Sequence, residues 1–297
     1  MIIDPKAIPT KDLHQFILGC VAPRPIAWVS TVNKAGKPNL APFSFFNAFS
    51  SNPPIVIFSS NRRVEDNTTK HTLQNVLDTK ECVINMVSHE LVGQMAICSM
   101  DYPEGVSEFE KAGVTGIAAD LVKPLRVLEA PASLECKVTE VLPLGSGGGA
   151  GNLIVCEVLR IHIQDDRLDA NGRPDPYKMD LMARMGKMYY ARTNGDAIMT
   201  LVQPVKPIAI GFNLLPESVR VSKVLSGNDI ARLAGNLLEM PTVVEMSNYK
   251  KSRPEIEAML HQAGSFTIMQ EHAKEQIQLG ELKEAMMTLM LADGSCL

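Results

Sequence analysis

The sequence is poor in the patterns that would announce a chemistry. It has no Cys-x-x-Cys pair and no His-Glu-x-x-His; its six histidines, at 14, 71, 89, 162, 261 and 272, show no metal-binding spacing. It has no Gly-x-Ser-x-Gly and no Gly-Lys-[Ser/Thr], so neither a hydrolase elbow nor a P-loop is expected. Positive charge is not in excess. Lys and Arg total 29 against 33 Asp and Glu, a net charge of -4, which leaves no basic footprint for nucleic acid. No apolar run reaches about 18 residues, so no membrane helix is expected. The first residues, MIIDPKAIPTKDLHQF, lack the apolar core of a secretory signal. Cys296 stands second from the end, where prenylation would need the fourth. These absences suggest a cytoplasmic chain that needs neither nucleic acid nor membrane.

What remains is an ordinary globular mix, 45% hydrophobic and 21% charged over 297 residues. That length suits one large domain or two small ones. Cys82, Cys136 and Cys156 sit inside apolar runs and read as reduced core thiols. Residues 25–32 and 38–46 are extended runs, with Asn33-Lys34-Ala35-Gly36 as hairpin turn chemistry between them. Residues 55–59 follow Pro53-Pro54 and start another strand. Leu73, Val76 and Leu77 change the period and predict a helix over 68–79, with Thr68 and Thr69 as candidate caps. A strand at 82–87 and a short helix at 89–98 follow. Segment 101–126 reads as a surface excursion. Long apolar runs at 132–142 and 152–163 predict a second hairpin, its tip GSGGGAG read as floppy. Residues 205–210 form the last expected strand. Beyond about residue 213 the pattern turns helical, at 228–233, at 253–263 and over 271–291, where Ile277, Leu282, Met286 and Leu289 suggest one buried stripe. Met-rich helices of this kind are core filler. The expected layout is mainly β: a small antiparallel barrel within 1–212, then a helical extension over 213–297 packed on it.

The glycine cluster is a decoy. Gly145-Ser146-Gly147-Gly148-Gly149-Ala150 matches the dinucleotide fingerprint in form, but a strand pattern follows it, not a helix. The informative region is Asn39 to Asn52, with four Phe, three Asn and three Ser. Amides and hydroxyls interleaved with aromatics at a strand end suit a flat heterocycle. Downstream, Ser59-Ser60-Asn61-Arg62-Arg63 ends a strand, and Lys70 and Thr72 open the helix. This reads either as a phosphate site at a helix N-terminus or as a capped helix with a solvated basic face.

Five stretches give the chain a resemblance to the flavin reductase-like family, the FMN-binding split barrels that include flavoredoxins and the reductase components of two-component monooxygenases. They are Arg24 to Thr31, Asn39 to Pro54, Lys70 to Asn75, Asp101 to Gly105 with Glu108-Phe109, and Ala183 to Tyr190. The resemblance implies a six-stranded antiparallel split β-barrel, bound FMN, NADH or NADPH as co-substrate, and a homodimer. It also implies a monooxygenase or electron-transfer partner. Asn39, Ala41, Pro42, Ser44, Phe45, Phe46 and Asn47 are then expected to hold the isoalloxazine and ribityl chain, and Ser30 and Thr31 are expected among the cofactor-binding residues. Ser59, Asn61, Arg62, Lys70 and Thr72 are expected to hold the phosphate. Here His71 replaces the acid often found between the lysine and threonine, and Lys187-Met188 follows Gly186 where a second glycine is common. No catalytic side chain and no metal are implied, because the flavin carries the chemistry. A non-catalytic FMN carrier is the alternative.

Overall fold

The turn at Asn33 forms as expected. Its Oδ1 accepts the N–H groups of Ala35 and Lys37, both at 3.0 Å, and Gly36 takes φ +77°, a conformation glycine adopts without strain. The computed structural model describes residues 1–103, 105–201 and 207–294. Within them the chain forms two compact units, Met1–Met199 and Thr200–Leu297. The sequence reading put the boundary at 212/213.

The first unit runs α1 (Thr10–Cys20), β1 (Arg24–Pro25), β2 (Ala27–Val32), β3 (Pro38–Phe43), β4 (Phe46–Ser51), β5 (Pro54–Ser59), α2 (His71–Thr79) and β6 (Glu81–Asn85). It continues with α3 (Val92–Ile97), α4 (Glu108–Ala112), β7 (Gly116–Ile117), β8 (Arg126–Val127), β9 (Ala132–Pro143), β10 (Asn152–Ile163), α5 (Pro176–Met179), β11 (Met182–Arg184) and β12 (Tyr190–Arg192). Seven strands form one antiparallel sheet in the order β3-β2-β6-β9-β10-β5-β4, one more than the six expected. The reason is local. The extended run expected at 38–46 breaks at Ser44-Phe45, and its two parts become strands on opposite edges of the sheet.

That placement dictates the shape. Laid flat, seven strands hold their outer edges about 29 Å apart. The three chain links from Phe43 to Phe46 span at most about 11 Å. The sheet therefore curls until its edges meet at this corner. Its concave side buries Ala27, Val29, Phe43, Phe58, Ile84 and Ile154, with Leu73 and Val76 of α2 packed among them. Cys82, Cys136 and Cys156 are fully buried here as free thiols. Contact with Cys82 and then burial push the Cys136 and Cys156 thiols above their usual range. The opposite face of β2 and β3 buries Trp28 and Leu40 against Met95 of α3 and Phe109 of α4.

Several local expectations are corrected. α2 begins at His71 with Lys70 in the capping position. Thr68 does not cap it; its hydroxyl donates to Asp66 at 2.7 Å. The 101–126 segment is not all surface, since Glu108 and Phe109 are buried. The glycine-rich tip between β9 and β10 is pinned rather than floppy. Arg62 N–H donates to Ala150 O at 2.9 Å and Gly149 N–H to Arg62 O at 3.0 Å. A Cβ on Gly148 would meet Val64 O at 2.8 Å, so the contact requires glycine. α1 was not anticipated. Its signal is Leu13, Phe16 and Ile17 at helical spacing, weakened because no residue of the helix is fully buried. Of the strand expected at 205–210, residues 205–206 lie outside the described set, as do Glu104 and Cys296, and 207–210 are irregular.

The second unit contains α6 (Glu217–Arg220), α7 (Gly227–Asn236), α8 (Val243–Ser252), α9 (Pro254–Leu260), α10 (Ser265–Leu279) and α11 (Leu282–Ala292). Its helices bury one another around Leu215, Leu233, Ile277 and Met286, with a second cluster around Met246, Ile256 and Met269. The helix expected over 271–291 is two helices, because Gly280 takes φ +86° as the cap that ends α10. Ile277, Met286 and Leu289 are buried nonetheless, now across a helix hairpin. No helix among the described residues is long and apolar enough to cross a membrane. Gly280→Ala places a Cβ in a left-handed conformation and is expected to destabilise the protein by about 1–2 kcal/mol. Urea unfolding monitored by circular dichroism at 222 nm measures this, and an unchanged midpoint contradicts the assignment.

Candidate functional site

Two connected clefts flank the corner where the sheet edges meet. The larger, about 540 Å³, has Ser44, Phe45, Phe46 and Asn47 on one side and Ser59 and Asn61 on another. Thr10, Leu13, His14 and Ile17 of α1 cover it, a spacing that puts all four on one helix face. The smaller, about 430 Å³, is lined by Pro42, Phe43, Ser44 and Phe45 and by Met95 and Ser99. Arg184 and Tyr190 complete its wall. The clefts share His14, Arg24, Ser44 and Phe45, so together they make one trough. Among the described residues, no Asp or Glu lines either part.

Backbone geometry makes the trough. The two-residue link exposes the Ser44-Phe45 main chain, and Phe45 O accepts Ser59 N–H at 2.8 Å. Ser59 Oγ donates to Asn61 Oδ1 at 2.8 Å. Gly151 passes so close that a Cβ there would lie 2.7 Å from Ser59 Oγ.

The structure gathers some of the expected cofactor residues and separates others. Pro42, Ser44, Phe45, Phe46, Asn47, Ser59 and Asn61 all line the trough. Thr31, Asn39, Ala41 and Thr72 lie elsewhere, buried between β2, β3 and α2. Asn39 Nδ2 donates to Thr72 Oγ1 at 3.1 Å and Asn75 Nδ2 to Thr31 Oγ1 at 3.0 Å. These bonds tie the start of α2 to the sheet. Ser30 points to the opposite face from Thr31, as strand alternation requires, and its buried Oγ has no partner. Arg62 Nε donates to Asn67 Oδ1 at 2.6 Å, so its guanidinium is committed to its own loop.

Lys70 is half-buried, its Nζ 5.7 Å from the centroid of the Phe43 ring, which itself lines the smaller cleft. Burial lowers its pKa, with Asp101 opposing and Arg63 adding to the effect. Arg63, which sequence reasoning passed over for its neighbour, donates to both Asp101 oxygens, at 3.2 and 2.6 Å. The Oγ of Ser60, also passed over, is buried without a partner. Lys70 and Arg63 thus offer a basic pole beyond Phe43. α2 adds its N-terminus, which has no side-chain cap. The signal that could have found Arg63 and Ser60 is alternation. Ser59 and Asn61 line the cleft, and the residues between and after them do not.

A curled antiparallel sheet with a trough at its meeting edges defines a small barrel-like fold. Residues 18–193 match the family described as flavin reductase like domain, and the chain belongs to that family. An uncharacterized protein of Aquifex aeolicus is 43% identical over 184 residues, covering 62% of this chain and 91% of the relative. Among solved structures, nitrilotriacetate monooxygenase component B from Bacillus cereus is 28% identical with a TM-score of 0.62, covering 66% of this chain and 96% of that one. The 2-nitrobenzoate 2-nitroreductase NbaA of Pseudomonas fluorescens is 25% identical with a TM-score of 0.61, covering 71% and 100%. The family match stops short of the second unit.

His14 provides a pH test of the trough. Burial, then Arg24, lowers its pKa from 6.5. The unfolded chain therefore takes up a proton before the folded one, and stability falls as pH drops below about 6.5. His14→Gln is expected to flatten the dependence of unfolding free energy on pH between 7 and 5. Identical slopes for both proteins in urea titrations contradict the buried, Arg24-facing placement.

Proposed function

We propose that the protein is an FMN-dependent oxidoreductase in which NADH or NADPH reduces FMN held at the Ser44-Phe45 corner. The observation that carries this reading is the acid-free trough with a basic pole beyond Phe43. The ring would lie against the Ser44–Asn47 main chain and the Phe45 side chain. The phosphate would take Lys70, Arg63 and the open N-terminus of α2. The residues fit such a group: the N-terminus of α2 has no side-chain cap, and Lys70 beside it stands over the Phe43 ring that lines the smaller cleft.

When bound, FMN supplies hydride acceptance and electron delivery. This chain's residues do the rest. Ser44, Asn47 and Asn61 offer hydrogen bonds to the polar ring edge, Phe45 and Phe46 exclude water, and His14 with α1 covers the larger cleft. Orientation, not a side-chain acid or base, is the protein's contribution. The trough continues past the corner to Tyr190 and Arg184, and that extra room favours a reductase, with a second reactant, over a simple electron carrier.

The same reading includes a six-stranded split barrel within the seven-stranded sheet and a homodimer. It includes a monooxygenase or electron-transfer protein as recipient of the electrons. Tyr189 and Met188, 68% and 87% exposed, supply aromatic and apolar surface of the kind that interfaces use. The free thiols of the first unit suit the reducing cytoplasm.

Lys70→Ala and Arg63→Ala are each expected to weaken FMN binding about tenfold to a hundredfold, the loss of one charge-assisted hydrogen bond. Riboflavin, without phosphate, should bind both variants as it binds the unmodified protein. Fluorescence titration checks this; parallel losses for riboflavin contradict the phosphate placement. Anaerobic bleaching of the FMN-loaded protein by NADH or NADPH tests the reductase reading. Failure of both donors leaves the electron carrier. Light scattering at micromolar concentration is expected to give the mass of a dimer, and a monomer with FMN bound contradicts it.

A further inference from the structure

The wall of the smaller cleft holds a second concentration of positive charge that the flavin reading does not use. β1 and β11 pair antiparallel with Arg24 directly opposite Arg184. Like charges directly opposite on a ladder repel, and burial and then Arg184 depress the Arg24 pKa. Both arginines line the smaller cleft, and His14 lies in the same wall.

Neither guanidinium is neutralised by a carboxylate in its hydrogen bonding. Arg24 donates to the main-chain carbonyls of Leu18 at 2.9 Å, Met185 at 3.0 Å and Val21. Two of these belong to the C-terminal end of α1, so the residue also caps that helix. Arg24 is only 4% exposed, and its buried Nε has no partner at all. Arg184 donates to Lys187 O at 2.6 Å and stacks on Tyr190, its guanidinium carbon 4.5 Å from the ring centroid. A cross-strand arginine pair in a cleft wall that carries no acid among the described residues is an arrangement suited to an oxyanion. Guanidinium forks match carboxylate and phosphate oxygens, and the adjacent Tyr190 and Phe45 suit a planar group.

We infer that Arg24 and Arg184 form an oxyanion clamp for the second reactant, which enters the trough with a flat ring beside the corner and its anionic group on the arginine pair. The inference rests on the proposed placement of FMN at the corner. The shared chemistry is an oxyanion attached to a molecule with a flat ring. Its source is either the phosphate of a nicotinamide dinucleotide or the carboxylate of an aromatic acid.

The test uses the full-length protein, with and without FMN, and compares it with Arg184→Gln and Arg184→Lys. Arg184 is chosen because Arg24 also caps α1. ADP-ribose probes the dinucleotide phosphate and benzoate the aromatic carboxylate, each by isothermal titration calorimetry, while fluorescence titration follows FMN. At least one probe is expected to bind, to weaken about tenfold or more in Arg184→Gln, and to recover in part in Arg184→Lys. FMN affinity should stay within about twofold, as expected for a residue outside its phosphate pole. Binding of ADP-ribose alone identifies a dinucleotide, and binding of benzoate alone an aromatic acid. The inference is overturned if neither probe binds, or if Arg184→Gln binds them as the unmodified protein does. A matching loss of FMN affinity also overturns it, because the pair then holds the FMN phosphate. If FMN itself does not bind, the flavin reading fails, while probe binding to the FMN-free protein still reports on the clamp.

Discussion

The first unit depends on one short piece of chain. Phe43 to Phe46 must connect the two outer strands of a seven-stranded sheet, and a link of that length forces the sheet to curl. The curl makes a core on the concave side, where residues from β2, β3, β5, β6, β9 and β10 meet α2. It also leaves a seam. Two edge strands that meet at one corner cannot pair along their whole length, because strand twist carries them apart. The trough lies at that seam, and the binding site is therefore a consequence of how the barrel-like sheet bends.

Electrostatics then give the trough its character. Among the described residues its wall carries no acid. Lys70 and Arg63 stand beyond Phe43, while Arg24 and Arg184 lie in the wall of the smaller cleft itself. In the first group Asp101 occupies the Arg63 fork, a pairing that an incoming phosphate would have to displace. The exposed Asp101 makes that exchange inexpensive, since surface ion pairs contribute little. The second group hydrogen-bonds main-chain carbonyls and not a carboxylate among the described residues.

Much of this was legible in the sequence, for identifiable reasons. The β9–β10 hairpin was readable because two apolar runs flank a glycine tip, and Asn33 to Gly36 because turn residues act locally. The residues at 42–47, 59 and 61 were chosen for their mixture of aromatic and hydrogen-bonding side chains, and they do line one trough. Thr31, Asn39 and Thr72 had the right chemistry, but Asn39 and Thr72 satisfy each other and Thr31 is taken by Asn75, a tertiary pairing no local pattern records. The break at Ser44-Phe45 was hidden because extended residues continue on both sides of it. The break at Gly280 was hidden by an apolar stripe that persists through a helix hairpin. Arg63 was missed because adjacent arginines look alike until the backbone turns one toward Asn67 and the other toward Asp101.

The central claim is that a flavin occupies the corner where the sheet edges meet. A crystal structure grown with FMN tests it most directly. The account predicts the isoalloxazine against Ser44 to Asn47, with the phosphate at Lys70, Arg63 and the N-terminus of α2. A ring bound instead in the separate groove lined by Asn33, Asn39 and His71, or a phosphate on Arg24 and Arg184, would contradict it.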